Sequence, residues 1–207
     1  MSFNIQSLRQ KAKTKVFSEF RKAAGSQVTA TDIILENNRQ RLFESKNIET
    51  DAFDIFLSHS SEDADIVLGI LDSLNNYGYS VYIDWVTDSH LARSKITKNT
   101  IDRLRTRMTQ SKSLFYATTK HSSESKWMPW ELGYMDGDKS KAAILPVFKD
   151  ETSSTDNFEG QEYLGAYPFC IEATDDKTHK NRLWICEASD IYVSFDNWLK
   201  GKKPINH

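Results

Sequence analysis

Short apolar runs alternate with amphipathic stretches from residue 52 onward, and this alternation strongly limits the fold. Apolar runs with little polar alternation are typical of strands that are buried on both faces of a sheet. The amphipathic stretches between them have helical spacing and can form the crossovers that parallel strands need. The alternation therefore predicts an α/β fold with a mostly parallel sheet covered on both faces. The predicted strands are residues 52–58, 79–84, 113–118 and 142–148, and the predicted helices are residues 61–78, 94–110 and 127–137.

The pattern changes after residue 149. Segments 167–173 and 182–188 resemble each other, and each carries one cysteine, Cys170 or Cys186. They predict two paired strands, or a strand pair at the sheet edge. A final helix is predicted over residues 190–200. Two cysteines are too few for a disulfide framework or a zinc site, so we expect no metal site and two reduced thiols in the core.

The first fifty residues differ from the rest in charge. They carry nine basic and five acidic residues, a net charge of +4, whereas the remainder carries −6. This shift predicts a helical extension over residues 1–50 and a main domain over residues 51–207. A second helix is predicted over residues 32–43. The first helix is indicated by apolar residues at helical spacing, Ile5, Leu8, Ala12, Val16 and Phe20.

Two interpretations of that first helix stay open. An apolar stripe flanked by lysines is typical of a helix that docks on a membrane surface or a partner. The same stripe is typical of a helix packed on its own domain or on a second copy of the chain, and we favour this interpretation because only charge supports the first.

Composition excludes several classes of protein. The chain has 207 residues, of which 39% are hydrophobic and 27% charged, which is enough for a core and excludes global disorder. The net charge of −2 argues against nucleic-acid binding. No apolar stretch is long enough to cross a membrane, and the first residues lack the apolar run of a secretory signal. We therefore expect a cytoplasmic protein with neither nucleic acid nor membrane as a partner.

The topology indicates where a ligand would bind. Ligands of open parallel sheets bind beyond the carboxyl ends of the strands, where the strand order reverses. For the order 2-1-3-4-5 this point lies between the first and third strands. The segments that meet there are residues 58–63 and 118–131, and the loop at residues 84–91 borders the same crevice.

The first of these segments is rich in hydroxyl groups. Ser58, His59, Ser60 and Ser61, together with the amides at a helix start, suit a phosphate or ribose hydroxyls. The alternative is a plain helix cap, in which one of the serines caps the helix.

The second segment contains a carboxylate near the start of a helix. Pro129 is tolerated only in the first helical turn, so Glu131 lies in that turn or just after it, near the positive end of the helix dipole. Trp127 is four residues earlier and shares the same face. A carboxylate beside an indole suits a sugar. The alternative is a core tryptophan next to a solvated glutamate.

Three stretches together, FDIFLSHSSED, YSVYIDW and SKWMPWELGY, resemble a bacterial Toll/interleukin-1 receptor (TIR) domain. The resemblance covers about residues 52–148 and is strongest to the small TIR proteins of the Thoeris antiphage defence system. It implies a flavodoxin-like fold with a five-stranded sheet, and it implies NAD⁺ cleavage with no separate cofactor. The resemblance places the catalytic carboxylate on Glu131, and substrate-binding residues on Ser58, His59, Ser60, Ser61, Asp84, Trp85 and Trp127.

The loop at residues 84–91 departs from animal adaptor TIR domains, because it has no Pro-Gly pair. An animal-style signalling interface is therefore in doubt. The resemblance also implies a homo-oligomer, in which a neighbouring copy completes the site, and a separate effector that senses the nucleotide product.

One carboxylate suits NAD⁺ better than an ordinary glycoside. Glycoside hydrolysis normally needs a second carboxyl group to protonate the leaving group. Nicotinamide leaves as a neutral molecule from a cationic ring, so that acid is not needed.

Three functions remain in competition at this point. The first is an NAD⁺-consuming enzyme that releases free or cyclic ADP-ribose. The second is a non-catalytic TIR interaction module that binds through residues 84–91. The third is an enzyme like the nucleoside deoxyribosyltransferases, which also use a glutamate on a similar fold.

Overall fold

The computed structural model describes residues 3–20, 52–84, 97–148 and 162–207. The strands in these ranges are β1 (Phe3–Asn4), β2 (Phe53–Ser58), β3 (Val81–Tyr82), β4 (Ser111–Thr118), β5 (Ala142–Phe148), β6 (Phe169–Thr174), β7 (Asn181–Ala188), β8 (Ile191–Ser194) and β9 (Ile205–Asn206). The α-helices are α1 (Ile5–Phe20), α2 (Ala64–Asn76), α3 (Lys98–Gln110), α4 (Met128–Lys139) and α5 (Phe195–Leu199). Short 3₁₀ helices cover Ser61–Asp63, Ser122–Glu124 and Glu162–Ala166. None of the described helices is long and apolar enough to cross a membrane.

The sheet confirms the predicted α/β class. Its order is β3-β2-β4-β5-β6, and these five strands run parallel, as in the flavodoxin-like order 2-1-3-4-5. The sheet then continues through β7, β8 and β9, each antiparallel to the strand before it. β1 pairs parallel with β5. The sheet is therefore larger than the five strands predicted, because the end of the chain adds an antiparallel part.

Helices cover both faces of the parallel part. Ile55 and Leu57 of β2 point into a core cluster that α1, α2 and α5 share, whereas Phe56 points into a second cluster beneath α3 and α4. Fully burying side chains of this size stabilises the fold by about 1.5–3 kcal/mol each. The apolar residues in the middle of β2, β4 and β5 thus reflect burial on both faces.

The N-terminal helix packs on its own domain over residues 3–12. Phe3 and Leu8 are buried in the same cluster as α2. Gly69 of α2 permits this approach, because a Cβ atom there would collide with the backbone of Leu8. Of the two interpretations, packing on the chain's own domain is thus confirmed for this stretch. The predicted boundary near residue 50 and the helix at residues 32–43 lie outside the described residues.

The predicted strand pair is confirmed, but the predicted helix at residues 190–200 is wrong over its first half. Residues Ile191–Ser194 form β8, which pairs with β7 through Val193 and Ile185. Helix α5 begins only after Ser194. The β-branched and aromatic residues of β8 fit a strand, and pairing with β7 supplies the hydrogen bonds that outweigh the helical spacing.

Both cysteines are buried free thiols, as predicted. Cys170 pairs with Ile185 and Cys186 with Phe169, so the two thiols point to opposite faces of the sheet. Burial raises the pKa of the Cys186 thiol to about 11 and raises that of Cys170 well above its ordinary value. Both therefore stay protonated and unreactive at neutral pH.

Candidate functional site

A buried carboxylate lies at the carboxyl edge of the sheet, at the predicted reversal point. β2 ends at Ser58, and its hydroxyl donates a 2.6 Å hydrogen bond to Oε2 of Glu131. Both residues are 0% exposed. Because a carboxylate is costly to bury without hydrogen bonds, this bond helps to fix its position. The two residues lie 73 positions apart in sequence, and the fold brings them into direct contact.

The start of α4 explains why Glu131 lies there. The Ser125 hydroxyl accepts hydrogen bonds from the N–H groups of Trp127 and Met128, at 3.3 Å each, and so caps the helix from outside. Pro129 lies in the first turn, as predicted. The Glu131 N–H donates to the Trp127 carbonyl at 2.9 Å. Glu131 therefore lies in the first turn, where the helix dipole favours a negative charge.

Trp127 begins a row of aromatic side chains on α4. Its ring meets that of Trp130 edge to face, with 5.7 Å between ring centroids, and Trp130 meets Tyr134 at 5.9 Å. All three are half-buried and pack against the core cluster beneath α4. The indole that the sequence predicts as part of the site thus also has a packing role.

His59 and Asp84 form a second buried polar pair at this edge. His59 is 2% exposed and Asp84 is 3% exposed. Nδ1 of His59 lies 2.8 Å from the Leu57 carbonyl oxygen, and since a carbonyl only accepts, Nδ1 carries a proton. Nε2 lies 3.5 Å from Oδ1 of Asp84. The structure therefore brings together the two residues from the loops after β2 and β3.

The remaining predicted residues are placed differently. Ser60 is buried, and its hydroxyl accepts a 3.4 Å hydrogen bond from the Glu62 N–H, which is the capping role considered as the alternative. Ser61 is exposed at the start of the 3₁₀ helix that precedes α2. Trp85 and the rest of the loop at residues 85–91 lie outside the described residues.

Sequence reasoning missed a cluster that joins the loops after β2 and β4. Asp63 accepts a hydrogen bond from the Thr119 hydroxyl through Oδ2, and its Oδ1 lies 2.8 Å from Nδ1 of His121. The hydrogen bond to Asp63 raises the pKa of His121, and the charges of Asp63, Glu62 and Glu124 add to this, against a smaller opposing effect of burial. The residues next to Asp63 in sequence do not indicate these contacts, because its partners are 56 and 58 positions away.

Tyr116 is a second feature of this edge that sequence reasoning missed. It pairs with Ser58 across β2 and β4 and is buried. Burial raises the pKa of its phenol to about 12, and the charges of Tyr163 and Glu131 contribute. The phenol therefore stays protonated at neutral pH. The Tyr116 hydroxyl is therefore close enough to the buried Glu131 for the charge of that carboxylate to act on it.

A groove of about 850 Å³ lies away from this edge, over the antiparallel part of the sheet. It is lined by residues such as Trp184, Tyr192 and Arg182 and includes none of the predicted site residues.

Among the residues that the structure describes, no group of three or more His, Cys, Asp or Glu side chains is arranged to hold a metal ion. The buried carboxylates at the carboxyl edge thus remain the best candidates for chemistry.

Comparison with known proteins places this geometry in a family. A family model described as "TIR domain" matches residues 55–183, which is more than half of the chain. The chain is 49% identical over 148 residues to a protein of Bacillus cereus (strain MSX-D12) named "Probable 3′ cyclic ADP-D-ribose synthase ThsB′". That match covers 72% of this chain and 76% of the relative. The chain is also 36% identical over 93 residues to a protein of Cytobacillus dafuensis named "Putative cyclic ADP-D-ribose synthase TIR2", covering 44% of this chain and 24% of that protein.

Proposed function

Because this chain belongs to the TIR-domain family, we propose that it cleaves the nicotinamide–ribose bond of NAD⁺ and makes a cyclic ADP-ribose signal in antiphage defence. The observation that carries this proposal is the fully buried Glu131 carboxylate, held by the Ser58 hydroxyl at the carboxyl edge of the sheet. The names of both relatives support the reaction class. The name of the Bacillus cereus relative makes the 3′-linked isomer the first candidate for the product.

The chemistry needs one carboxylate in a fixed position. When the C–N bond breaks, the electron pair goes to the pyridinium nitrogen, and nicotinamide leaves as a neutral molecule. The ribose carbon becomes a cation that resembles an oxocarbenium ion. A carboxylate held beside it stabilises this charge without having to reorganise, and it also accepts hydrogen bonds from the ribose hydroxyls. Glu131 is the residue we assign to this role, and Ser58 keeps its carboxylate in place.

Capture of the cation decides the product. Attack by a hydroxyl of the same ADP-ribose forms a new C–O bond, releases one proton and gives a cyclic product, whereas attack by water gives linear ADP-ribose. A crevice that excludes water favours the internal hydroxyl. We assign Trp127, with Trp85, to the walls of this crevice.

The other predicted residues complete the proposed site. We assign Ser60 and Ser61, at the start of the helix that follows β2, to the hydroxyl or phosphate groups of NAD⁺. We assign His59 and Asp84, whose Nε2 and Oδ1 atoms lie 3.5 Å apart, to substrate binding as well. No separate cofactor enters the proposed reaction.

The proposal extends to partners and location. We propose that a separate effector senses the nucleotide product and that a neighbouring copy of the chain contributes to the site. We also propose that the protein acts in the cytoplasm, and the two free cysteine thiols are consistent with a reducing compartment.

The experiment measures nicotinamide and ADP-ribose isomers by mass spectrometry in cells that express the chain, with and without phage infection. The wild type should raise nicotinamide together with a cyclic isomer in infected cells, and Glu131→Gln should not. Glu187→Gln, which makes the same chemical change at an exposed position of β7, should behave as the wild type. Equal nicotinamide in the wild type and Glu131→Gln would favour the non-catalytic TIR module. Linear ADP-ribose alone would support cleavage and contradict cyclisation.

A further inference from the structure

The loops after β2 and β4 are tied together at Asp63. Its carboxylate is 3% exposed, and its two oxygens serve two different residues of the opposite loop. The Thr119 hydroxyl donates to Oδ2, and Nδ1 of His121 lies 2.8 Å from Oδ1. The imidazole itself is partly exposed, with 30% of the side chain accessible. These contacts of Thr119 and His121 with Asp63, which we call the tie, therefore join a buried carboxylate to an imidazole that solvent can reach.

The two sides of the tie have different supports. Asp63 directly precedes α2, whose apolar face is buried in the core, so the acid is held firmly. Thr119 and His121 come immediately after β4, and a short 3₁₀ helix leads from them toward α4. Thr119 and His121 thus both hold this connecting segment against the start of α2. The carboxylate of Glu131 has its own bond to Ser58, which does not depend on this tie.

We propose that His121 is a positioning residue for NAD⁺ binding, which sets the width of the crevice by holding the loop after β4 to Asp63. This inference rests on the proposed function. It assigns His121 an effect on substrate affinity, while the bond-breaking step stays with Glu131. It also makes NAD⁺ affinity depend on the protonation of His121.

The direction of this pH dependence follows from the surrounding charges. Among the described residues, three charged groups act on His121, namely Asp63, Glu62 and Glu124 of the adjoining 3₁₀ helix. The Glu62 carboxylate lies 3.8 Å from Nε2 of His121. The hydrogen bond to Asp63 and the charges of all three acids favour the imidazolium, so its pKa is raised above the ordinary 6.5 against a smaller opposing effect of burial. As the pH rises through this raised pKa, the charge is lost and the charge-assisted hydrogen bond to Asp63 weakens. The tie should therefore loosen toward alkaline pH.

The test measures KM and kcat for NAD⁺ with the full chain from about pH 6 to about pH 9. The wild-type KM should rise about three- to tenfold across this range, because a charge-assisted hydrogen bond is replaced by a neutral one. The kcat should change less than KM. In His121→Gln the KM should stay near the wild-type alkaline value at every pH, because the glutamine amide can donate to Asp63 but carries no charge. His179→Asn is the matched control, since this exposed histidine of the β6–β7 turn has a positive φ that asparagine tolerates.

Several outcomes overturn the inference. A wild-type KM that does not change with pH overturns it, and so does a His121→Gln profile that follows the wild type. A lower melting temperature of His121→Gln with unchanged KM shows a merely structural role. Should His121→Gln fail to fold, the wild-type profile decides, together with Thr119→Val, which removes the other donor to Asp63 and should raise KM while keeping the pH dependence. A wild type that cleaves NAD⁺ with a flat KM overturns only the role of His121, whereas a wild type that raises no nicotinamide in infected cells overturns the proposed function as well.

Discussion

Strand β2 carries polar side chains at both ends, and the carboxylates at the two ends are held in different ways. At the amino end, Asp54 accepts hydrogen bonds through Oδ2 from the N–H and the hydroxyl of Ser80, at 2.9 and 3.0 Å. Its Oδ1 lies 2.8 Å from Nζ of Lys112. At the carboxyl end, Ser58 donates to Glu131, and His59 faces Asp84.

The two carboxylates differ in their exposure and in the groups that hold them. Asp54 is 20% exposed and joins β2 to the segment before β3 and, through Lys112, to β4. Glu131 is 0% exposed and accepts from the Ser58 hydroxyl, whereas Asp54 is bound by a backbone N–H, a hydroxyl and an ammonium group. In the proposed function the Ser58 hydroxyl keeps the Glu131 carboxylate in place, and this carboxylate stabilises the charge that develops on the ribose. The comparison teaches that the two ends of one strand meet two acids held in different ways, of which the proposed function assigns only the buried one to a ligand.

Removing the acid at the amino end should give the largest effect on stability. Asp54→Ala leaves the Ser80 N–H and the Lys112 ammonium without this partner, and we expect the free energy of unfolding to fall by about 2–3 kcal/mol. Urea unfolding measures this loss. NAD⁺ cleavage per folded molecule should stay within about twofold of the wild type, because the change lies at the far end of β2. A large loss of activity in the folded fraction, without a loss of stability, would mean that the amino end shapes the site.

Removing the donor at the carboxyl end should act mainly on catalysis. Ser58→Ala takes away the hydroxyl that orients Glu131, and we expect kcat to fall about 10- to 100-fold, which corresponds to about 1.4–2.7 kcal/mol. Stability should fall by less than in Asp54→Ala. Steady-state kinetics and urea unfolding of both variants provide the comparison. A Ser58→Ala enzyme with wild-type kcat would show that Glu131 does not need this bond.

The smallest predicted effect distinguishes the two ends by pH. His121 at the carboxyl end has a pKa that is raised in the folded state, so its stabilising contribution is full below pH 6.5 and is lost as the pH rises through the raised value. The melting temperature of His121→Gln should therefore lie below that of the wild type at about pH 6 and come closer to it at about pH 9. Lys112→Met at the amino end should lower the free energy of unfolding by about 0.5 kcal/mol or less at both pH values, since this lysine is 60% exposed. A melting temperature of His121→Gln that lies equally far below the wild type at both pH values would contradict a stabilising role of the His121 charge.

Local sequence signals predicted most of the parallel part and the position of the site. The apolar strands, the proline-limited start of α4 and the cap at Ser60 are all decided by neighbouring residues. The reversal point of a doubly wound sheet then places Ser58 near Glu131 without any knowledge of contacts. For this reason the sequence could indicate the edge at which these two residues meet.

Features that depend on distant contacts could not be predicted in this way. Residues 191–199 carry both a strand-like and a helix-like pattern, and only pairing with β7 decides that the first part is β8. The tie between Asp63 and His121 spans 58 positions, and either residue alone is typical of a solvated loop. The pairing of Phe3 with Val147 likewise needs the finished sheet.

The most direct test of the central claim compares Glu131→Gln with Asp54→Ala in a single assay of nicotinamide release from NAD⁺, normalised to folded protein. Glu131→Gln should lose at least about 1000-fold in rate, because the developing positive charge loses its carboxylate, while its melting temperature stays close to that of the wild type. Asp54→Ala should show the reverse, with a lower melting temperature and nearly wild-type turnover per folded molecule. A Glu131→Gln protein that releases nicotinamide at the wild-type rate would contradict the claim that the buried carboxylate at the carboxyl edge carries the reaction.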